Sequence, residues 1–148
     1  MQRYVKLDAL GNSLSDMAES WTMVMDKVTG SIWERKTDDN SIHNKNQRYT
    51  WEDAQNVFIA QLNIDKFGGF SDWRLPTIEE LVLVVNYDKF DPVIDTDYFL
   101  NTVSSWYWSS TTDVYYTDNA WCVNFRYGYV GDYGKSNTYY VRAVRNGR

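Results

Sequence analysis

The order of apolar and polar positions predicts strands near the start of the chain. The stretches WTMVMD (21–26) and SIWERK (31–36) are each typical of a strand, and KVTG between them is typical of a turn. The following TDDNSIHNKNQR (37–48) has no apolar period, which indicates a surface loop.

Two helices are predicted in the middle of the chain. Thr50 is a suitable N-cap, and the apolar residues that follow fall near one helical face: Trp51, Ala54, Phe58 and Leu62. Gly68-Gly69 can end this helix. Thr77 and Glu80 form a capping-box pattern after Pro76 and predict a second helix. Its expected apolar face consists of Ile78, Leu81, Val82 and Val85.

The last third of the chain is predicted to form strands and turns. YDKFDPVIDTDYFLNT (87–102) is a long connection, and strands are expected from Trp106 onward. In AWCVNF (120–125), strand alternation places Trp121, Val123 and Phe125 on an inner face. The same alternation places Cys122, Asn124 and Arg126 on an outer, polar face. Together these elements predict an α+β fold with helices packed beside a mostly antiparallel sheet.

The length of 148 residues is that of one domain with a sizeable core. Residues 1–20 are mixed and polar, and we expect an N-terminal arm or a short helix there. Residues 21–148 are expected to form a single domain, with a ligand-binding region at about 107–140.

Composition and charge exclude several classes of function. The net charge is −5, and neither half of the chain is basic enough for a nucleic-acid surface. No apolar run is long enough to span a membrane, and the start of the chain has no visible signal peptide. The one cysteine, Cys122, rules out an internal disulfide framework and a zinc site built on cysteines.

The segment from Tyr115 to Tyr140 has an unusual composition. Seven of its 26 residues are Tyr, and most others are Asn, Asp, Ser, Thr or Gly. Antibody-like binding surfaces use these residues, because Tyr provides contact area and the small polar residues adapt their hydrogen bonds. We therefore expect a surface that contacts a protein or glycan ligand.

Four fragments carry a resemblance to a known family. They are VTG (28–30) with Asp26 and Trp33, YTWEDA (49–54), GGFSDWRLPTIEEL (68–81), and YWSST (107–111) with YVRAVR (140–145). In residues and spacing the chain resembles the Lcl C-terminal domain family of bacterial collagen-like surface proteins. The resemblance implies a branch of the C-type lectin fold, related to formylglycine-generating-enzyme-like domains. It further implies a central sheet formed by the two chain ends and a second, irregular sheet from the last third.

Some members of this fold are variable proteins of diversity-generating retroelements. The resemblance to them implies codons of the type NNC at varied positions, which cannot encode Lys, Gln, Glu, Met or Trp. Residues 1–100 hold these five types at 23 positions, so about six are expected by composition among the 26 residues of 109–120 and 127–140. One is found, Lys135.

The expected ligand contacts are outward side chains after Ser110. They are Asp113, Tyr115, Tyr116, Asp118, Asn119, Cys122, Arg126, Tyr127, Tyr129, Asp132, Tyr133, Asn137 and Tyr139. By contrast, Trp73, Trp106 and Trp108 are expected in the core, and Arg142 and Arg145 in structural ion pairs.

Other site chemistries are weaker. A lectin-type calcium tripeptide is absent, and the acids Asp88, Asp91, Asp95 and Asp97 lack the spacing of an EF-hand loop. Formylglycine-generating chemistry needs two cysteines. The only histidine, His43, is expected to be an exposed loop residue.

The sequence therefore predicts a binding protein with no catalysis, no cofactor and no bound metal. Its ligand is a protein or glycan of variable identity, with no nucleic acid and no membrane insertion, and the family suggests surface display. The alternatives are an adhesion domain of fixed specificity and, more weakly, a formylglycine-generating-like enzyme.

Overall fold

The computed structural model describes residues 2–147 and shows an α+β architecture with two sheets. The first sheet is antiparallel and has the order β1-β2-β3-β9. Its strands are β1 (Tyr4–Leu7), β2 (Met23–Asp26), β3 (Ile32–Glu34) and β9 (Val144–Arg145). Residues from both ends of the described chain thus meet in one sheet, as the resemblance implied.

The second sheet has five strands in the order β4-β8-β5-β6-β7. These are β4 (Arg48–Tyr49), β8 (Tyr139–Tyr140), β5 (Trp106–Thr112), β6 (Asn119–Asn124) and β7 (Tyr129–Gly134). All neighbours pair antiparallel except β5 and β8, which meet in parallel at Tyr107 and Tyr140. The last third of the chain therefore contributes four of the five strands.

The first helix, α1, begins after Thr50, whose hydroxyl accepts a hydrogen bond from the Asp53 amide at 3.2 Å. It runs as an α-helix over Trp51–Asp53, a π-helix over Ala54–Ile59 and an α-helix over Ala60–Ile64. Ala54, Phe58 and Leu62 are fully buried on one face, as predicted. A 3₁₀ turn follows at Phe67–Gly69, which contains the two glycines expected to end the helix.

The second helix, α2, spans Ile78–Leu83 and begins with the predicted capping box. The Glu80 amide donates to the Thr77 hydroxyl, and the Thr77 amide donates to the Glu80 carboxylate. The expected inner face was wrong at one position, because Val82 is 40% exposed. Val84 is buried instead, just after the short helix ends.

Two hydrophobic clusters hold the elements together, and both sheets contribute to each of them. One cluster joins Trp33 and Val123 to Leu81 of α2 and Phe99 of the long connection. The other joins Met23, Trp108 and Cys122 to Phe58 of α1. Burial of apolar area on both faces of each sheet is the main favourable term for this fold.

Two expectations from the sequence need correction in this fold. Residues 1–20 do not form a short helix in the part described: Tyr4–Leu7 form β1, and the Leu14 amide donates to the Lys6 carbonyl. In β6, the alternation was expected to place Trp121 on the inner face and Cys122 on the outer face. This was wrong, because Cys122 is fully buried and Trp121 is only half-buried. The reason is that both faces of β6 are covered, so the alternation does not separate a wet face from a dry one.

Within residues 2–147, no helix is long and apolar enough to cross a membrane.

Candidate functional site

The tyrosine-rich segment lies on the second sheet and on the loops at its two ends. A loop (113–118) connects β5 to β6, and a tight turn (125–128) connects β6 to β7. The strand β6 pairs with β7 over its full length, from Asn119 opposite Gly134 to Asn124 opposite Tyr129. The sheet therefore separates the two loops by the length of six strand residues, about 20 Å.

The 113–118 loop is held by its first residue. The Asp113 carboxylate accepts a hydrogen bond from the Tyr115 amide at 2.8 Å, and the Asp113 amide donates to the Asn119 carbonyl. An Asp in this position stabilises a turn through its own side chain. As a result Asp113 is buried, while Val114, Tyr115 and Tyr116 are strongly exposed.

Asn119 and Asp132 join β6 to β7 at the same end of the sheet. The side-chain amide nitrogen of Asn119 donates to the Asp132 carboxylate at 3.2 Å. Hydrogen bonds with Asp113 and Asn119 lower the pKa of Asp132 below its usual value. Asp113, Asn119 and Asp132 thus form a small polar cluster under the exposed loop.

The turn at the other end carries a second group of exposed aromatic residues. Tyr127 and Tyr129 stack with ring centroids 5.3 Å apart, and the Arg126 guanidinium lies 5.2 Å from the Tyr127 ring centroid. The Tyr87 hydroxyl donates to the Gly128 carbonyl at 2.8 Å and fixes this turn to the long connection.

A row of aromatic rings crosses one face of the sheet between the two loops. The ring centroids of Trp106 and Tyr133 are 4.7 Å apart, and those of Tyr133 and Tyr139 are 5.8 Å apart. The Tyr139 centroid lies 4.9 Å from that of buried Trp108. Register places Tyr129 and Tyr133 on this same face, with Gly131 between them. We call Trp106, Tyr129, Tyr133 and Tyr139 the aromatic row.

Two of the predicted contact residues are not on the surface. Cys122 is fully buried between Trp108 and Ala120, and Asp113 is 5% exposed. The expectation that both side chains point outward was wrong. A free cysteine is among the residue types most often buried and packs as a small apolar side chain, and the Asp113 carboxylate is used by its own loop.

The remaining predicted residues divide into three groups. Tyr115, Tyr116 and Asp118 are exposed on the loop, with the Asp118 carbonyl accepting from the Lys135 amide. Arg126, Tyr127 and Tyr129 are exposed near the turn, and Asn137 is exposed before β8. Asn119, Asp132, Tyr133 and Tyr139 are half-buried on the sheet. The exposed residues of the predicted contact set are therefore divided between the two ends of β6.

Sequence reasoning missed a buried polar cluster around Glu34. Its carboxylate oxygens lie 3.1 and 3.2 Å from the Lys36 Nζ, and one lies 2.6 Å from the His43 Nδ1. The expectation that His43 is an exposed loop residue was wrong, since its side chain is 17% exposed. Burial acts to raise the pKa of Glu34, but Lys36 and His43 outweigh it and lower that pKa. No periodic pattern in the sequence predicts this cluster, because His43 lies on an irregular loop that folds back onto Glu34, nine positions earlier.

The residues of the sequence fragments that carry the family resemblance stabilise the fold. Arg74 makes two hydrogen bonds to Glu80 at 2.6 and 2.9 Å, and Arg145 binds Asp72 at 2.7 Å. The Arg74 amide and carbonyl also pair with Val144 of β9. Trp73 and Trp108 are buried as expected, whereas Trp106 is half-buried. The GFSDWRLPT segment therefore fastens α2 to the end of the chain.

Within residues 2–147, no group of three or more His, Cys, Asp or Glu side chains is arranged to hold a metal ion. This includes the acidic segment from Asp88 to Asp97, where the Asp95 carboxylate caps the Asp97 amide.

Comparison with known proteins identifies the family. No curated protein sequence matches the chain. The family model of the Lcl C-terminal domain matches residues 22–145, which include both sheets except β1 and all the scaffold contacts described above. The chain therefore belongs to the Lcl C-terminal domain family.

Proposed function

We propose that the chain is a ligand-binding variable protein of a diversity-generating retroelement, built on a C-type lectin scaffold. Its contact surface would consist of the exposed side chains of the 113–118 loop, the 125–128 turn and the aromatic row. Asp113 and Cys122 would support this surface from below and make no contact with the ligand.

The observation that supports this proposal most directly is the chemistry of the exposed positions. Every exposed residue between 113 and 140 is of a type that an NNC codon encodes. They are Val114, Tyr115, Tyr116, Thr117, Asp118, Arg126, Tyr127, Tyr129, Val130, Ser136, Asn137 and Thr138. Elsewhere the exposed surface includes excluded types such as Lys27, Glu52 and Lys66.

The excluded residues within the segment are tied into the scaffold. The Lys135 Nζ donates to the Thr112 hydroxyl and the Thr117 carbonyl and lies 4.1 Å from the Trp51 ring centroid. Trp121 is half-buried opposite Asp132. A protein that varies its surface needs such a division between fixed supports and replaceable contacts.

The shape of the surface favours a macromolecular ligand. Tyr129 of the aromatic row is exposed, the other three rings are half-buried against the second core cluster, and the remaining exposed tyrosines lie at the two ends of the sheet. Small metabolites are usually held in enclosed apolar pockets. A protein or a glycan can instead contact the row and one of the loops together, and Tyr loses little conformational entropy on binding.

An adhesion domain of fixed specificity is the second candidate, and membership of the Lcl C-terminal domain family favours it. The same surface would then bind one ligand only. A formylglycine-generating-like enzyme is a weaker candidate, because that chemistry resembles a two-cysteine copper site and the only cysteine here is buried.

Variation in the coding sequence tests the proposal. The region encoding residues 107–140 should have a near-repeat downstream, beside a reverse-transcriptase gene. Sequencing the locus across a bacterial population should show changes at the twelve exposed positions named above, with Trp108, Trp121 and Lys135 constant. An invariant segment without a template repeat would reject the variable protein and leave the adhesion domain.

A further inference from the structure

The outer edge of β7 differs from the other sheet edges of the molecule. The β1 edge is covered at Lys6 by the Leu14 amide, and the β9 edge is bonded to Arg74. The strand β4 has only two residues. By contrast β7 has six, and among the described residues none outside β6 makes a main-chain hydrogen bond to Tyr129–Tyr133.

The composition of β7 does not protect this edge either. Its sequence YVGDYG contains no proline and no lysine, and its single charge is Asp132. Unpaired edge strands of this length present roughly three outward N–H and three outward C=O groups, and proteins usually blunt them with charge, proline, bulges or cover. A six-residue edge left open while the β1 and β9 edges are covered is suited to pairing with another strand.

We propose that β7 pairs antiparallel with β7 of a second copy of this chain, which joins the two five-stranded sheets into one. Such an interface has two-fold symmetry, so one residue must lie opposite itself. Two registers pair five residues of the strand. One centres on Gly131 and the other on Asp132.

The chemistry of the strand selects the register centred on Gly131. Centring on Asp132 would place two carboxylates directly opposite each other, which destabilises a strand pair. Centring on Gly131 instead places Asp132 opposite Val130 of the second copy. No like charges then meet within the paired strands.

This register also brings complementary groups together beyond the central pair. Tyr129 comes opposite Tyr133 of the second copy, and both lie on the face of the aromatic row. Arg126, at the 125–128 turn of one copy, approaches Asp118 of the second copy, because Asp118 lies at the opposite end of the sheet beside Lys135. The two-fold symmetry produces this contact twice. The dimer would present two aromatic rows as one continuous face.

Disulfide trapping tests the register in the whole chain. Val130→Cys and Asp132→Cys chains are made separately and then mixed under mild oxidation. The expected main product is a crosslinked heterodimer, because opposed residues of antiparallel strands fall within disulfide range. Each chain alone should crosslink far less, and Cys122 is buried and does not compete. A mixture of Val28→Cys with Asp132→Cys is the matched control, since Val28 is exposed on a distant turn.

Sedimentation of uncrosslinked protein supplies the second measurement. The unmodified chain of 17.4 kDa should reach twice that mass as its concentration rises. Val130→Asp should weaken the dimer about fivefold, and Val130→Lys should strengthen it by about the same factor. The reason is that residue 130 of each copy lies opposite Asp132 of the other copy, so the new charge meets Asp132 at two symmetry-related places. Circular dichroism confirms that each variant is folded. A monomer at all concentrations, equal affinities in the two variants, or crosslinking no better than the control would each overturn the proposal.

Discussion

The Nδ1 atom of His43 lies 2.6 Å from a carboxylate oxygen of Glu34, in a site where Glu34 is fully buried. This contact ties the polar loop at residues 37–48 to the central sheet. The same carboxylate also accepts from the Ala143 amide, so it connects the loop to β3 and to the segment that precedes β9.

Replacing the histidine should therefore destabilise the whole domain. His43→Ala removes one of the hydrogen bonds to a buried carboxylate, and we expect a loss of about 1–3 kcal/mol in the free energy of unfolding. Asn46→Ala, at an exposed position of the same loop, should stay within about 0.5 kcal/mol of the unmodified chain. Urea denaturation measures both. Similar losses in the two variants would show that the buried contact contributes nothing.

The sequence predicted the regular elements better than this contact. Helix caps at Thr50 and Thr77 follow from local chemistry, since each cap bonds an amide three residues away. The pairing of His43 with Glu34 depends on how an aperiodic loop folds back, and no local pattern encodes that path. A buried charge cluster of this kind is visible only when the fold is known.

The same distinction explains the error at Cys122. Alternation in AWCVNF predicts which side chains share a face, and Val123 and Phe125 do share one. It does not predict whether the opposite face is wet. Here α1 and Trp73 belong to the cluster that covers that face, so Cys122 belongs to the second core.

Burial of Cys122 predicts an unreactive thiol. Burial raises the pKa of the Cys122 thiol, and the charge of Asp132 raises it further. Because only the thiolate reacts, modification by a water-soluble disulfide reagent at neutral pH should be very slow in the native chain. It should become rapid once urea unfolds the protein. Fast labelling without denaturant would contradict the buried position.

Core and surface residues at the two ends of β6 should differ strongly in their effect on stability. Phe125 is fully buried, and Phe125→Ala should cost about 3–5 kcal/mol. Tyr115→Ser and Tyr127→Ser, both at exposed positions, should each cost within about 0.5 kcal/mol. Thermal and urea denaturation would compare them. Equal costs would contradict a division between scaffold and replaceable contacts.

Acid should destabilise the domain partly through Glu80. Burial acts to raise the pKa of Glu80, but hydrogen bonds from the Arg74 side chain and the Thr77 amide outweigh it and lower that pKa. A carboxyl whose folded pKa is lowered contributes stability above its unfolded pKa of 4.5 and loses it as the pH falls through the folded pKa.

The measurable consequence is a change in pH dependence. Between about pH 5 and pH 3, the free energy of unfolding should fall less steeply in Glu80→Gln than in the unmodified chain. Glu79→Gln is the matched control, because Glu79 is exposed on the same helical turn and makes no hydrogen bond of this kind. Urea titrations at several pH values provide the slopes. Parallel slopes for Glu80→Gln and the unmodified chain would contradict a lowered Glu80 pKa.

The aromatic row depends on the absence of a side chain at Gly131. A Cβ atom built there would lie 2.9 Å from Tyr133 Cε2 and 3.0 Å from Trp106 Cη2, closer than carbon atoms normally approach. At Gly134, three residues along the same strand, a Cβ would lie 3.5 Å from the Asn137 side chain, which is ordinary contact. Gly131→Ala should therefore displace the Trp106 and Tyr133 rings, whereas Gly134→Ala should leave them in place. Near-ultraviolet circular dichroism and tryptophan fluorescence report the ring positions. We expect a changed spectrum for Gly131→Ala only, with both variants still folded by far-ultraviolet circular dichroism.

Once a ligand is identified, Gly131→Ala should also weaken its binding relative to Gly134→Ala, because the displaced rings form the centre of the proposed contact surface. Identical spectra and identical binding in the two variants would show that the row is not a defined surface.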